Sequence, residues 1–219
     1  MSAGDPQGDL FCLAADRDIE EALQGLLARP QSLQIRPITA TIRTHPNRDP
    51  GCYLRAHDFL RSFPRWFVHA LVVFDREGCG NESHSREELE KEVEDRLQAA
   101  GWGDRARVVV MDPELEAWVW SDSPQVEKAL GWAGRAPALR SWLIESGFLA
   151  QAADKPSRPK EAVELALRLV RKPRSSAIYR EIAESVSLRR CRDPAFAKLR
   201  LILQDWFGLE KTHANKDLP

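Results

Sequence analysis

Carboxylates recur in this chain where an open parallel sheet would place its ligand site. The run His69-Ala-Leu-Val-Val-Phe-Asp75-Arg-Glu77-Gly78 is apolar until it stops at two acids spaced i, i+2 and then a glycine. It reads as a buried parallel strand delivering acidic side chains to its carboxyl end, outside which open α/β sheets bind ligands. Ala106-Arg-Val-Val-Val-Met111-Asp112-Pro-Glu114-Leu-Glu116 repeats the logic, and Leu10-Phe-Cys-Leu-Ala-Ala15 runs into Asp16-Arg17-Asp18-Ile-Glu20. Three strand ends rich in oxygen donors suit a hard divalent cation, Mg2+ or Mn2+, which takes one or two carboxylates together with water and substrate phosphates. The metal-ligand candidates are Asp75, Glu77 and Glu114. The catalytic candidates are Asp16, Glu20 and Glu116, which could move protons beside a cation that takes waters and substrate phosphates. Several of these acids also have a plainer role open to them. Asp16 or Asp18 could cap the first helix, Asp112 could cap a helix opened by Pro113, and Glu114 could favour that helix's positive end.

Positioning those acids requires strands and helices in alternation. A strand over residues 10–15 is followed by helical spacing through Ile19, Ala22, Leu23, Leu26 and Leu27, ended by Pro30. Alternation from Leu33 to Thr44, with a phase change near Pro37, predicts an edge strand carrying a proline or bulge, and Thr44 to Gly51 reads as a polar loop. A helix is expected over residues 53–63, then the strand ending at Phe74. Ser85-Arg-Glu-Glu88 is a capping-box pattern opening a helix to Ala100, terminated by Gly101 and Gly103. After the strand over 106–111 comes a helix from about Pro113, buried through Leu115, Trp118, Val119 and Trp120. Beyond Ser121 the strand signal disappears, and helices are expected over 123–131, 136–146, 159–171, 175–187 and 193–207, with a frayed tail from His213 to Pro219. The reading is an α/β core over residues 1–122 and an all-helical C-terminal extension over 123–219.

Composition bounds the function. Hydrophobic residues at 43% with 30% charged residues fit an ordinary globular chain, and no apolar run approaches the ~20 residues that cross a bilayer. The first residues lack the basic and apolar regions of a secretory signal, so a cytoplasmic protein with no membrane partner is expected. Cys12, Cys52, Cys79 and Cys191 form no paired motif, and the five histidines show no ligand repeat, which argues against structural zinc. Net charge is −1, but residues 1–154 carry 17 basic against 25 acidic side chains and residues 155–219 carry 15 against 8. Lys160, Arg174, Arg180, Arg189, Arg190 and Arg192 in that basic segment are candidates for gripping a nucleic-acid backbone, the alternatives being a solvated helix surface or attraction to the acidic segment.

An acid after the first strand, an acid-x-acid pair after a later strand and a basic helical tail resemble the Toprim-like fold of metal-dependent nucleases, topoisomerases and primases. In more detail the chain resembles a family of bacterial Toprim-like proteins often encoded with anti-phage and restriction systems. The matching positions are Asp75, Glu114-Leu-Glu116-Ala-Trp118 with Asp122 just beyond, Pro159-Lys160, Tyr179 and Pro194-Ala-Phe196, across about residues 9–207. The resemblance implies a mostly parallel four-stranded sheet flanked by helices, a Mg2+- or Mn2+-dependent nuclease or related phosphotransfer activity on nucleic acid, and other defence-system proteins as partners. This chain departs from the pattern with Asp16-Arg17 where the family has Glu-Gly, and with Asp75-x-Glu77 where Toprim enzymes have Asp-x-Asp. The substituted first motif leaves a second expectation beside the enzyme: a catalytically degenerate module that scaffolds a multi-protein defence complex.

Overall fold

The computed structural model describes residues 6–121 and 123–209. Asp122 and the tail from His213 to Pro219, on which two of the readings above fall, lie outside the described residues. Strands β1 (Gly8–Ala14), β2 (Ala40–Thr44), β3 (Phe67–Asp75) and β4 (Ala106–Met111) form one all-parallel sheet in the order β2-β1-β3-β4. Ala14 registers with Thr44 and Val73, and Asp75 with Met111, so all four strands finish at one edge. Parallel neighbours need crossovers, and helices α1 (Arg17–Leu27), α3 (Arg48–Leu60) and α4 (Arg86–Leu97) supply them. The central strands are consequently covered, with Leu10 to Ala14 and Ala70 to Phe74 buried.

Edge strand β4 is closed by side chains. Glu94 accepts the Val108 N–H at 2.9 Å and Glu90 accepts the Val110 N–H at 3.0 Å, which satisfies donors that a bare edge would offer to another chain. Lys198, on α10 (Pro194–Phe207), holds both glutamates at 3.0 and 3.2 Å. On β3, the His69 ring stacks on Trp206 at 4.3 Å between centroids, and burial lowers its pKa, so it serves as a packing group.

Several boundaries move for physical reasons. The expected strand over 33–44 is shorter, because Pro30 opens a one-turn helix α2 (Pro30–Leu33) whose cap residue Gln34 is left-handed at φ 64°, Ile35 bridges to Gly208 instead, and pairing with β1 begins only at Ala40. The helix expected from Tyr53 starts at Arg48, drawing the polar loop into its first turn. The helix expected from Pro113 is a single turn, α5 (Glu116–Val119), and Asp112 does not cap it but pairs with Arg76 at 3.2 Å. Asp16 does cap α1, accepting the Ile19 N–H at 3.0 Å, and the Ser85/Glu88 capping box is formed.

The remaining helices are α6 (Pro124–Leu130), α7 (Leu139–Glu145), α8 (Pro159–Val170), α9 (Ala177–Ser185) and α10, close to the expected series. One buried cluster runs from Leu10 through Phe207, so the change from alternating elements to helices near residue 122 is not a break in the core. The α1–α9 contact is close because Gly25 has no side chain. A Cβ there would lie 2.8 Å from both Ala183 Cβ and the Arg180 carbonyl oxygen. Arg29 then donates to the Ala183 and Val186 carbonyls at 2.8 Å, satisfying acceptors at the end of α9.

Candidate functional site

Asp75, the last residue of β3, is the centre of the acidic edge. Its Oδ1 accepts the Leu115 N–H at 2.9 Å, while its own N–H donates to Asp49 Oδ1 at 2.8 Å. Burial first, then the charges of Asp49, Glu116, Asp16 and Glu114, push its pKa well above the ordinary aspartate value. The second carboxyl oxygen has no protein partner among the described residues. Asp75 thus joins the segments after β2 and β4 to the end of β3.

Asp49 was not singled out in the sequence, because it was assigned to a polar loop. It sits in the first turn of α3, and burial with the nearby charge of Asp16 raises its pKa. Its placement depends on the turn before it, where Arg48 is left-handed at φ 50° and His45 Nδ1 accepts the Asn47 N–H at 3.1 Å. Gly51 must lack a side chain for that turn, since a Cβ would fall only 1.9 Å from His45 Nδ1. The available sequence signal was the same as at the other strands: an acid shortly after an apolar, extended run.

The acids beyond β4 are buried and already partnered. Glu114 Oε1 accepts the Lys160 N–H at 3.1 Å, and Lys160 Nζ lies 3.5 Å from Oε2. Burial and the charges of Glu116 and Glu77 raise the Glu114 pKa against the opposing pull of Lys160. Burial works against the Lys160 ammonium, but Glu114 and Glu116 outweigh it and hold its pKa above the usual lysine value. Glu116 Oε1 accepts from the Tyr179 hydroxyl at 2.5 Å and from Arg174 Nη2 at 3.0 Å. Burial and the Glu116 charge raise the Tyr179 pKa, so this hydroxyl stays a donor. Arg174 also reaches Asp18 at 2.9 Å and Glu164 at 3.0 Å, and Ser176 Oγ donates to Asp18.

The sequence candidates therefore divide. Asp16, Asp75, Glu114 and Glu116 act on one another electrostatically, and Glu77, exposed after β3, acts on Glu114. Glu20 is engaged on its own helix by Arg17 at 2.9 Å and Gln24 at 3.3 Å. Of the basic candidates, Lys160 and Arg174 sit against the acidic edge, and Arg180 pairs with Glu21 and Glu184, both at 3.2 Å. Arg192 is exposed, 3.5 Å from Asp154. Arg189, Arg190 and Arg192 line a separate cleft with Arg140 and Lys155.

The donor set at the edge is all oxygen, which suits a hard cation. Among the described residues no three such side chains converge as metal ligands, so holding an ion requires side chains such as Glu77 to turn inward. No helix among the described residues is long and apolar enough to cross a membrane. Compared with models of known protein families, with curated proteins and with solved structures, the chain matches none.

Proposed function

We propose that this chain is a Mg2+- or Mn2+-dependent nuclease or related phosphotransfer enzyme acting on nucleic acid in the cytoplasm, with the Toprim-like resemblance pointing to bacterial anti-phage defence. The observation that carries the reading is Asp75, a carboxyl at the sheet's carboxyl edge whose pKa is driven up by burial and by four surrounding acids. Such a group is stabilised in its charged form by a bound cation. Asp75, Glu77 and Glu114 would hold the ion, which when bound supplies neutralisation of a phosphodiester oxygen and a more acidic water.

The chain's own residues divide the remaining work. Lys160, exposed beside Glu114, is placed to pair with a phosphate oxygen. Proton removal falls to Asp16, whose Oδ1 is fixed by the Ile19 N–H while its Oδ2 has no protein partner among the described residues. Glu116 is less suited to that role, because its Oε1 already accepts from Tyr179 and Arg174.

A second reading, the degenerate scaffold, draws support from the same pairing. Arg174 neutralises Glu116 and Asp18 from within, and Arg17 stands where the resembled family has glycine. The two readings separate in one experiment. Wild-type protein and Asp75→Asn are incubated with labelled single- and double-stranded DNA and RNA and Mg2+ or Mn2+, and their melting temperatures are read with and without Mn2+. The enzyme reading requires metal-dependent cleavage and an Mn2+-induced rise in melting temperature, both absent in Asp75→Asn; at 100 times Kd the linkage amounts to about 2.7 kcal/mol. Neither cleavage nor a metal-induced rise in the wild type would overturn it and leave the scaffold.

A further inference from the structure

The basic residues expected to act together belong to two different places. Arg174 and Arg180 are committed to carboxylates of the α/β layer, and Lys160 stands beside Glu114 at the acidic edge. Arg189, Arg190 and Arg192, in the link between α9 and α10, instead meet Arg140 of α7 and Lys155 of the link between α7 and α8 around a cleft of about 520 Å³. Among the described residues Asp154 is the one acid lining it, 3.5 Å from Arg192, with side chains 72% and 83% exposed. An ion pair that exposed contributes about 0 to 1 kcal/mol and gives way readily to a stronger anion.

The cleft has a fixed frame. Asp193 Oδ1 accepts from Trp118 Nε1 at 3.0 Å, and its Oδ2 accepts from Lys155 Nζ at 2.8 Å, tying the link before α8 to α10. Lys155 is therefore largely compensated, whereas Arg140 reaches only the Ala153 carbonyl and Arg189 has no partner among the described residues. Ser121 also lines the cleft, and its Oγ is buried with no hydrogen-bond partner. That buried hydroxyl is out of reach of a ligand in the cleft, so the guanidinium groups of Arg140, Arg189 and Arg192 are what a phosphate oxygen would meet.

We propose that this cleft binds the phosphodiester backbone of a single-stranded nucleic acid. A cleft of about 520 Å³ accommodates the phosphates of one strand, and a duplex laid across its mouth is the alternative that the test below separates. Trp120 is no stacking platform, being buried with its Nε1 bonded to the Pro159 carbonyl, so contact is with phosphates and is independent of sequence. The chain from Glu116 to Ser121 spans at most roughly 18 Å when extended, which places the cleft within reach of a strand lying across the acidic edge. The proposal deepens the nuclease reading by naming the surface and the strand state, but binding is measured without cleavage.

The test is fluorescence anisotropy of a labelled oligonucleotide of about 20 nucleotides, DNA and RNA, in EDTA across a salt series, using the full chain. Three proteins are compared: wild type, Arg140→Ala/Arg189→Ala/Arg192→Ala, and Arg180→Ala, each checked for an unchanged melting temperature. The triple variant is expected to bind about tenfold or more weakly at low salt, with a log Kd against log salt slope shallower by about 2, as each lost phosphate contact removes ~0.7 on a single strand. Arg180→Ala, whose side chain is spent on Glu21 and Glu184, keeps wild-type affinity and slope. No binding by the wild type, equal binding by the triple variant, or an equal loss in Arg180→Ala would overturn the proposal, as would tighter binding of a duplex. Asp75→Asn separates the two claims. If it binds as wild type while the wild type never cleaves, the cleft stands and the nuclease reading falls; if the wild type cleaves and the triple variant binds and cleaves equally well, the reverse holds.

Discussion

Replacing Asp75 by Asn should stabilise the protein, and should do so only where Asp75 is charged. Burial, followed by Asp49, Glu116, Asp16 and Glu114, holds this carboxyl's pKa well above its value in the unfolded chain. The folded chain then binds the proton more tightly than the unfolded chain does. Ionisation therefore costs stability at pH values above the unfolded pKa near 4, and the cost grows until the raised folded pKa is passed. Asparagine removes the charge and keeps the local frame: its amide oxygen can still accept the Leu115 N–H, and the backbone N–H still donates to Asp49. Nothing offsets the relief, so a gain of about 1 to 2 kcal/mol is expected at pH 7.5, the size found when a functional site's strain is removed. For a chain of this length that corresponds to about 2 to 8 °C in melting temperature. Well below the unfolded pKa, at about pH 2.5 to 3, where Asp75 is protonated in both states, the gain should vanish. The assay is thermal unfolding of both proteins in metal-free buffer across this range. A variant less stable than wild type at pH 7.5, or a difference that does not change with pH, would refute the argument that like charges crowd this carboxyl.

Three further outcomes test the frame around it. Tyr179→Phe deletes a hydrogen bond to a buried carboxylate and should cost about 1.5 to 3 kcal/mol in urea unfolding, against no change if Arg174 alone carries Glu116. Gly25→Ala forces a methyl to within 2.8 Å of Ala183 and the Arg180 carbonyl, so a loss of about 1 to 3 kcal/mol is expected, read by chemical denaturation; a neutral result would mean α9 sits less closely on α1. Lys198→Met uncovers Glu94 at the β4 edge while Glu90 keeps Arg86 at 3.1 Å, and light scattering should report increased self-association as Glu94 releases the Val108 N–H.

The strands were legible because a buried parallel strand leaves an unambiguous trace: the apolar runs ending at Asp75 and Met111 have no polar face to blur them. The convergence of acids at one edge followed from parallel order alone. Other features depended on contacts that sequence spacing does not encode. Asp49 was hidden because α3 begins with a left-handed Arg48 and a glycine pressed against His45, neither of which has helical periodicity. The partners of Glu116 lie 58 and 63 residues further along the chain, so a reading of local motifs assigns Glu116 and Arg174 to separate tasks when they hold each other. The basic tail likewise read as one surface. Only the packing of α9 on α1 decides that Arg180 faces Glu21 while Arg189 and Arg192 meet Arg140.

That division bears on how the two charged regions could cooperate. At the edge, Asp16, Asp49, Asp75, Glu77, Glu114 and Glu116 act on one another, while the close cations are Lys160 and Arg174. A nucleic-acid strand approaching this edge alone would be repelled, since its phosphates carry the same sign as the surplus carboxylates. The cleft around Arg140, Arg189 and Arg192 carries the opposite surplus, and is joined to the edge by the short run from Glu116 to Ser121. Binding energy collected at the cleft can offset that repulsion, holding a phosphate near Asp75 until a cation screens it. On this reasoning the cleft variants should raise KM for cleavage far more than they lower kcat, whereas Asp75→Asn should abolish kcat with affinity retained or improved. The opposite pattern, a cleft variant that loses kcat at saturating strand, would place those arginines at the reacting phosphate instead.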